Sequence, residues 1–207
     1  MSIADRLREI PSLTGAAPTF DLENLPGEPV ALFHAWLEEA LGRQVPEPHA
    51  VTLATVDANG VPDARTLILK DVDDRGWAFA GTASSPKGRQ LAANPVAALD
   101  VYWQPLMRAV RARGEVVEAS PAECEADLAA RSEAARVAVA EGDWRLWRLC
   151  PTRVEFFQAA TDRRHLRVVY TAESDGWSIS VMRGEQAPSR TPAVDLGGSR
   201  HGSGACR

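Results

Sequence analysis

From His49 to Gly81 the chain reads HAVTLATVDANGVPDARTLILKDVDDRGWAFAG, three runs rich in alternating apolar residues separated by short polar turns. Asn59-Gly60 supplies a pair that tolerates positive backbone angles, so the stretch predicts three strands paired antiparallel in sequence order. Two more strands follow around a less regular centre in AALDVYWQPLMRAVRARGEVVEAS, and TRVEFFQAA, HLRVVYTAES and GWSISVM complete the set. Only two substantial helices accompany them. Val30, Phe33, Leu37 and Leu41 recur at helical spacing, with Trp36 and Ala40 widening the stripe and Gly42 as the stop. Ser120, Pro121 and Glu123 give SPAECEADLAARSEAARVAVAE a helix-start signature. Hairpin-ordered strands with so few helices predict a mainly β chain whose antiparallel sheet closes into a barrel, because closure removes exposed edges.

At 207 residues the chain is long enough for one sizeable core. Pro11, Gly15, Pro18, Pro26 and Gly27 interrupt any periodicity in residues 1–28, which read as an irregular arm; the barrel domain is expected over 29–182. Residues 183–207, rich in Gly, Ser, Pro and Arg, read as a disordered tail. A net charge of −5 gives no reason to expect nucleic acid or an acidic membrane as partner. The chain lacks both a spanning apolar stretch and the apolar centre of a signal peptide, so the expected location is cytoplasmic. Cys124, Cys150 and Cys206 are odd in number and widely spaced, which suggests neither a disulfide framework nor a zinc site; no metal is expected. The six tryptophans read as core or interface bodies.

Against this acidic background the local cations are informative. Arg65 and Lys70 bracket the apolar run Thr66, Leu67, Ile68, Leu69. Residues five apart on a regular strand face opposite sides, so one of the two points somewhere unusual or the strand bends. Solvated, edge-protecting charges are one reading. A second comes from Ser84-Ser85-Pro86-Lys87-Gly88-Arg89, which precedes the short helical run QLAANP. Hydroxyls, cations and helix-terminal amides there suit a phosphate, and in the absence of a Walker or dinucleotide fingerprint the guess is a mononucleotide phosphate.

RTLILKDVDDRGWAFAGTASSPKGRQLAANPVAAL, YWQPLMRAVRARGEV and VEFFQAATDRRHLRVVYTAESDGW together resemble the pyridoxamine 5′-phosphate oxidase family of FMN-binding split-barrel flavoproteins, over roughly residues 28–180. The resemblance implies an antiparallel split β-barrel with flanking helices, FMN as cofactor and a homodimer with FMN between subunits. It further implies that Arg65 meets the FMN phosphate, that the backbone of Thr66, Leu67, Ile68 and Leu69 lies against the flavin ring, and that Lys70 sits at the ring edge near substrate. Ser85 and Lys87 would be phosphate ligands and Arg167 a flavin contact. Arg163 and His165 would act over the substrate, and Arg131 would bind its phosphate. The implied reaction oxidises pyridoxamine or pyridoxine 5′-phosphate to pyridoxal 5′-phosphate, with molecular oxygen as acceptor. From the residues alone, His165 also reads as a solvated strand residue, and Arg131 as a salt-bridge partner on an acidic helix.

The chain departs from the family pattern at functional positions. Asp127 and Ala135 stand where a tyrosine and a serine hold substrate phosphate, Ala80-Gly81 replaces a tyrosine-threonine pair, and Pro86, Ala109 and Phe157 replace an arginine, a glutamine and a tryptophan. A segment carrying a Gln-Ser pair, expected between the helix and the last strands, is missing, as is the closing Arg-Leu-x-Pro. The alternatives are therefore an oxidase for another reduced small molecule of dihydrophenazine type, or a flavin- or pyridoxal-phosphate-binding protein with little turnover.

Overall fold

The computed structural model describes residues 1–184, so the expected tail lies, from residue 185 onward, outside the described residues. In chain order the elements are α1 (Ile3–Glu9), α2 (Pro29–Gly42), β1 (Ala50–Val56), β2 (Pro62–Asp73), β3 (Gly76–Thr82), α3 (Pro86–Ala93), β4 (Val96–Trp103), a 3-10 turn (Gln104–Leu106), β5 (Arg108–Glu118), α4 (Pro121–Ala129), α5 (Glu133–Val137), β6 (Trp144–Gln158), β7 (Leu166–Glu173) and β8 (Gly176–Arg183). The eight strands coincide with the runs named from the sequence.

All eight form one antiparallel sheet in the order β3-β2-β1-β4-β5-β6-β7-β8, and a further pairing of β3 with β6 closes the first six into a barrel. The fold is thus the expected split barrel. The splitting element is β6. Its first half, Trp144–Leu149, pairs with β3, whereas Arg153–Gln158 pairs with β7. A bulge between Arg113 and Gly114 lets β5 follow both halves. Gly114 is required there, since a β-carbon would overlap the Cys150 carbonyl.

Alternation places Leu53, Leu99, Val101, Val110, Ala112, Phe79, Leu149, Val154 and Phe156 inside. Helix α2 covers the interior with Leu32, Phe33, Trp36 and Ala40; the Phe33 ring lies 4.4 Å from that of Trp77. Trp36, Trp77, Trp103 and Trp147 are all core residues. Outside the barrel, α4 presents Cys124 to Ala78 and Leu146.

The N-terminal arm is irregular only in part. A capping box between Ser2 and Asp5 starts α1, which buries no residue. The chain then docks on its own barrel: Ala16 N–H donates to Pro105 O, the Tyr170 hydroxyl donates to Pro26 O, and Phe20 packs edge-on against Trp36. At the junction Arg108, 1% exposed, donates to Glu39 at 2.6 Å and Gln158 at 2.9 Å, with its guanidinium over the Trp36 ring. A buried cation needs such partners, and this group ties arm, helix and barrel together. The long helix expected from Ser120 is also modified. Its capping box is as read, but the chain breaks after Ala129 and restarts as α5.

Candidate functional site

The geometry follows from one irregularity. Beyond the bulge at Lys70, β2 and β3 pair as far as Leu69 and Phe79 and then diverge. Residues 62–68 consequently pair with β1 on one edge and, among the described residues, have no strand on the other, leaving backbone amides and carbonyls available to a ligand. Regular alternation up to the bulge sets the facing of the two cations. Arg65 shares the inner side with Leu67 and Leu69, while Lys70 shares the outer side with Thr66 and Ile68.

Arg65 reaches across the opened mouth. Its guanidinium donates to the buried Thr55 hydroxyl at 2.5 Å and to Gln90 Oε1 at 2.8 Å, and pairs with Asp63 at 2.7 Å. Hydrogen bonds from Gln90 and Ala64, with the charge of Arg65, hold the Asp63 carboxyl below its usual pKa. Lys87, on α3, enters the mouth from the other side. It is half-buried, its ammonium lies over Gly81, and a β-carbon at Gly81 would overlap it. Burial first, and then the charge of Arg65, push the Lys87 ammonium below its ordinary pKa. Among the described residues no carboxylate pairs with Lys87; its one polar partner is Ser85 Oγ at 3.4 Å. Two cations are therefore close enough for the charge of one to act on the other, with the Lys87 ammonium seated against Gly81.

Of the two serines, Ser85 stays within reach of Lys87 and Ser84 turns away. Ser85 caps α3, accepting from Gly88 N–H and donating to Thr82 O. Ser84 donates its backbone N–H and its hydroxyl to Asp143, which pins the turn near the start of β6. Arg89 turns back on the Ser84 carbonyl. The sequence singles out Arg65 and Lys87 as candidates, whereas Thr55, Gln90 and Gly81, which contact them, carry no signal until the strands are placed.

Lys70 is not part of this mouth. It pairs with Asp127 Oδ1 at 3.4 Å, and Asp127 Oδ2 accepts from Trp144 Nε1 at 2.9 Å. The Arg131 guanidinium stacks over the Trp144 ring at 4.4 Å, and its Nε is buried without a partner. Lys70, Asp127, Trp144 and Arg131 thus form a second group, on the outer face where α4 covers β6.

Arg163, His165 and Arg167 form a third. Arg163 is exposed in a left-handed turn at φ 67°. His165 Nδ1 accepts from Ala160 N–H at 3.0 Å, so a neutral ring carries its proton on Nε2. The Arg167 guanidinium lies over Phe157 at 4.9 Å and 3.6 Å from Glu155, which also binds Arg153 and Arg111. Arg167 pairs with Phe157 at the far end of β6, and Gly81 pairs with Arg145 near its start. That contour is about 40 Å at about 3.3 Å per residue. Among the described residues no hydrogen bond or ion pair joins the third group to Arg65 or Lys87.

Comparison with known proteins bears on what these groups do. The family model described as pyridoxamine 5′-phosphate oxidase matches residues 37–158, and one described as the pyridoxine 5′-phosphate oxidase C-terminal dimerisation region matches residues 144–182. A pyridoxine/pyridoxamine 5′-phosphate oxidase from Paraburkholderia phytofirmans is 34% identical over 197 residues, covering 79% of this chain and 92% of the relative. One from Thermosynechococcus vestitus is 38% identical over 181 residues, covering 72% and 86%. Among solved structures, PhzG from Burkholderia lata in complex with tetrahydrophenazine-1-carboxylic acid superposes with a TM-score of 0.75 at 26% identity, covering 82% of this chain and all of that one. A pyridoxamine 5′-phosphate oxidase-related, FMN-binding protein from Nostoc punctiforme shares the fold, with a TM-score of 0.63 at 18% identity over 77% of this chain and 98% of its own.

Proposed function

This chain belongs to the pyridoxamine 5′-phosphate oxidase family, and from that premise we propose that it is an FMN-dependent oxidase of a small reduced heterocycle. The observation that carries the reading is the half-buried Lys87 ammonium, seated against Gly81 within range of the Arg65 charge and with no carboxylate partner among the described residues. An unpaired, half-buried ammonium beside a guanidinium is electrostatically costly by itself and becomes favourable once a phosphate dianion is placed between them. The residues present therefore fit the phosphoryl end of FMN. The unpaired edge of residues 62–68 fits the polar rim of its ring.

When bound, FMN supplies a two-electron acceptor that takes hydride from a substrate carbon and returns the electrons to molecular oxygen, giving hydrogen peroxide. The protein's part is binding and orientation. Arg65 and Lys87 hold the phosphate, and the Thr66–Leu69 backbone aligns the ring. His165, its tautomer fixed by Ala160, presents Nε2–H to substrate, and Arg163 offers an exposed charge beside it. The match of residues 144–182 to a dimerisation region supports a homodimer, in which a partner's third group would face this chain's mouth across the interface.

The relatives' names make pyridoxamine or pyridoxine 5′-phosphate the first substrates to test, with pyridoxal 5′-phosphate as product. The Lys70–Asp127 pair favours a second reading, oxidation of another small molecule of dihydrophenazine type. The test is to purify the protein, record flavin absorbance, and add each candidate anaerobically. Bleaching by either supports the oxidase, and its identity selects the reading. Bound flavin bleached by neither rejects both substrates and leaves a binding protein.

A further inference from the structure

The two cations of the first group differ in what already answers their charge. Lys87 pairs with no carboxylate among the described residues, whereas Arg65 has Asp63 at 2.7 Å. One terminal nitrogen of the Arg65 guanidinium donates to Asp63 Oδ2 and, at 2.8 Å, to Gln90 Oε1; the other donates to the Thr55 hydroxyl at 2.5 Å. These three partners are unlike in kind. Thr55 is 1% exposed and donates its own hydroxyl to Gln90 Oε1 at 2.5 Å, so a neutral pair, one member on β1 and one on α3, holds the guanidinium from within. Asp63 supplies the negative charge. Its side chain is 51% exposed, on the stretch of β2 that pairs with β1 alone among the described strands, and its other oxygen accepts from the Ala64 N–H at 2.8 Å. Gln90 Nε2 reaches the same Asp63 oxygen only at 3.4 Å.

With Asp63 in place, Arg65 is half of a neutral ion pair, and the group of Arg65, Lys87 and Asp63 carries one net positive charge. A phosphate monoester carries about −1.5 to −2 at neutral pH. It meets a second full cation only if the carboxylate gives up the guanidinium, and a carboxylate that stayed would repel it. Release is easy because a half-exposed pair contributes little and Asp63 can turn to water, while Thr55 and Gln90 keep the guanidinium aimed whichever anion it holds. From this geometry we infer that Asp63 is an intramolecular anion that competes with the ligand's phosphoryl group for Arg65, and so limits how strongly the site favours a phosphorylated flavin over one without phosphate. The inference rests on the proposal that Arg65 and Lys87 take the FMN phosphate. Asp63 is a positioning residue, acting through Arg65 rather than by touching the ligand.

The test titrates FMN and riboflavin into the full-length, flavin-free protein and reads flavin fluorescence, so that turnover is not needed. Wild type is compared with Asp63→Ala, Asp63→Ser and Asp63→Glu, with circular dichroism checking that each is folded. Removing the carboxylate, by alanine or by serine, is expected to tighten FMN by about fivefold to tenfold and to leave riboflavin within about twofold of wild type. Asp63→Glu keeps the carboxylate and is expected to stay near wild type. In an Arg65→Met background the gain from Asp63→Ala should vanish, because no guanidinium is left to compete for. A folded Asp63→Ala or Asp63→Ser with unchanged or weaker FMN binding, an equal gain for both flavins, or a gain that persists without Arg65 overturns the inference; the phosphate-site reading still stands if wild type prefers FMN to riboflavin. If wild type binds FMN no more tightly than riboflavin, that reading fails and takes the inference with it.

Discussion

Replacing Lys87 by methionine should weaken FMN binding while making the flavin-free protein more stable. The variant keeps the aliphatic stem that crosses Gly81 and removes only the ammonium. A charge-assisted hydrogen bond to phosphate contributes about 1.5–3 kcal/mol, so the dissociation constant should rise by about 10- to 150-fold. The upper part of that range is expected because Lys87 has no carboxylate to compete for it among the described residues, only Ser85 Oγ at 3.4 Å. Stability moves the other way. Burial and Arg65 hold the folded-state pKa of Lys87 below the ordinary 10.5, so the unfolded chain binds the proton more tightly. The charged lysine therefore costs stability at neutral pH, and that cost is relieved as pH climbs from the lowered value towards 10.5. Lys87→Met should raise the melting temperature of the flavin-free protein at pH 7 and lose the rise in stability between those limits. Fluorescence titration with FMN and thermal melts at several pH values measure both. Unchanged FMN affinity, or a lower flavin-free melting temperature, would refute the view that Lys87 is an unpaired cation kept for an anion.

Other perturbations separate the remaining parts. Gly81→Ala places a methyl group where the Lys87 ammonium lies and should weaken FMN binding about fivefold to tenfold, with little further loss when combined with Lys87→Met in a double-mutant cycle. Glu39→Ala leaves Arg108 buried at 1% exposure with one carboxylate fewer and should cost about 2–3 kcal/mol in urea unfolding; Gln158, which still accepts from it, limits the loss. For Glu155, burial opposes ionisation, but hydrogen bonds from Arg111 and Arg153 outweigh it and hold the pKa below the ordinary 4.5. Its contribution is present above 4.5 and is lost as pH falls through the lowered value, so Glu155→Gln should cost about 2 kcal/mol at pH 7 and flatten the acid limb of the stability profile.

Strands β1, β4 and β5 were legible because one face of each is more buried than the other, which imposes a two-residue alternation. The turn at Asn59-Gly60 and the cap at Ser120 were equally readable, since each rests on a local hydrogen bond. The first half of β6 was not. Trp144, Leu146, Trp147, Arg148 and Leu149 are buried on both faces, by the core within and by α4 outside, so WRLWRLC has no alternation to read. The cations at 65 and 70 pose a conflict of facing, and it is Arg65 that takes the unusual one, turned inward to Thr55 and Gln90 while Lys70 points out. No local pattern predicts that Lys70 then meets Asp127, because the pair joins β2 to α4 across 57 positions of sequence. The same holds for Arg108, an unremarked strand arginine until the arm and α2 enclose it.

The central claim is that the Arg65–Lys87 mouth grips a phosphoryl group, and it is tested most directly by titrating flavin-free wild-type protein with FMN and with riboflavin, which differ only in that phosphate. Two charge-assisted contacts should make FMN bind at least about 100-fold more tightly, and the Arg65→Met, Lys87→Met double variant should bring FMN to the affinity of riboflavin. Equal affinity of the wild type for the two flavins would contradict the account.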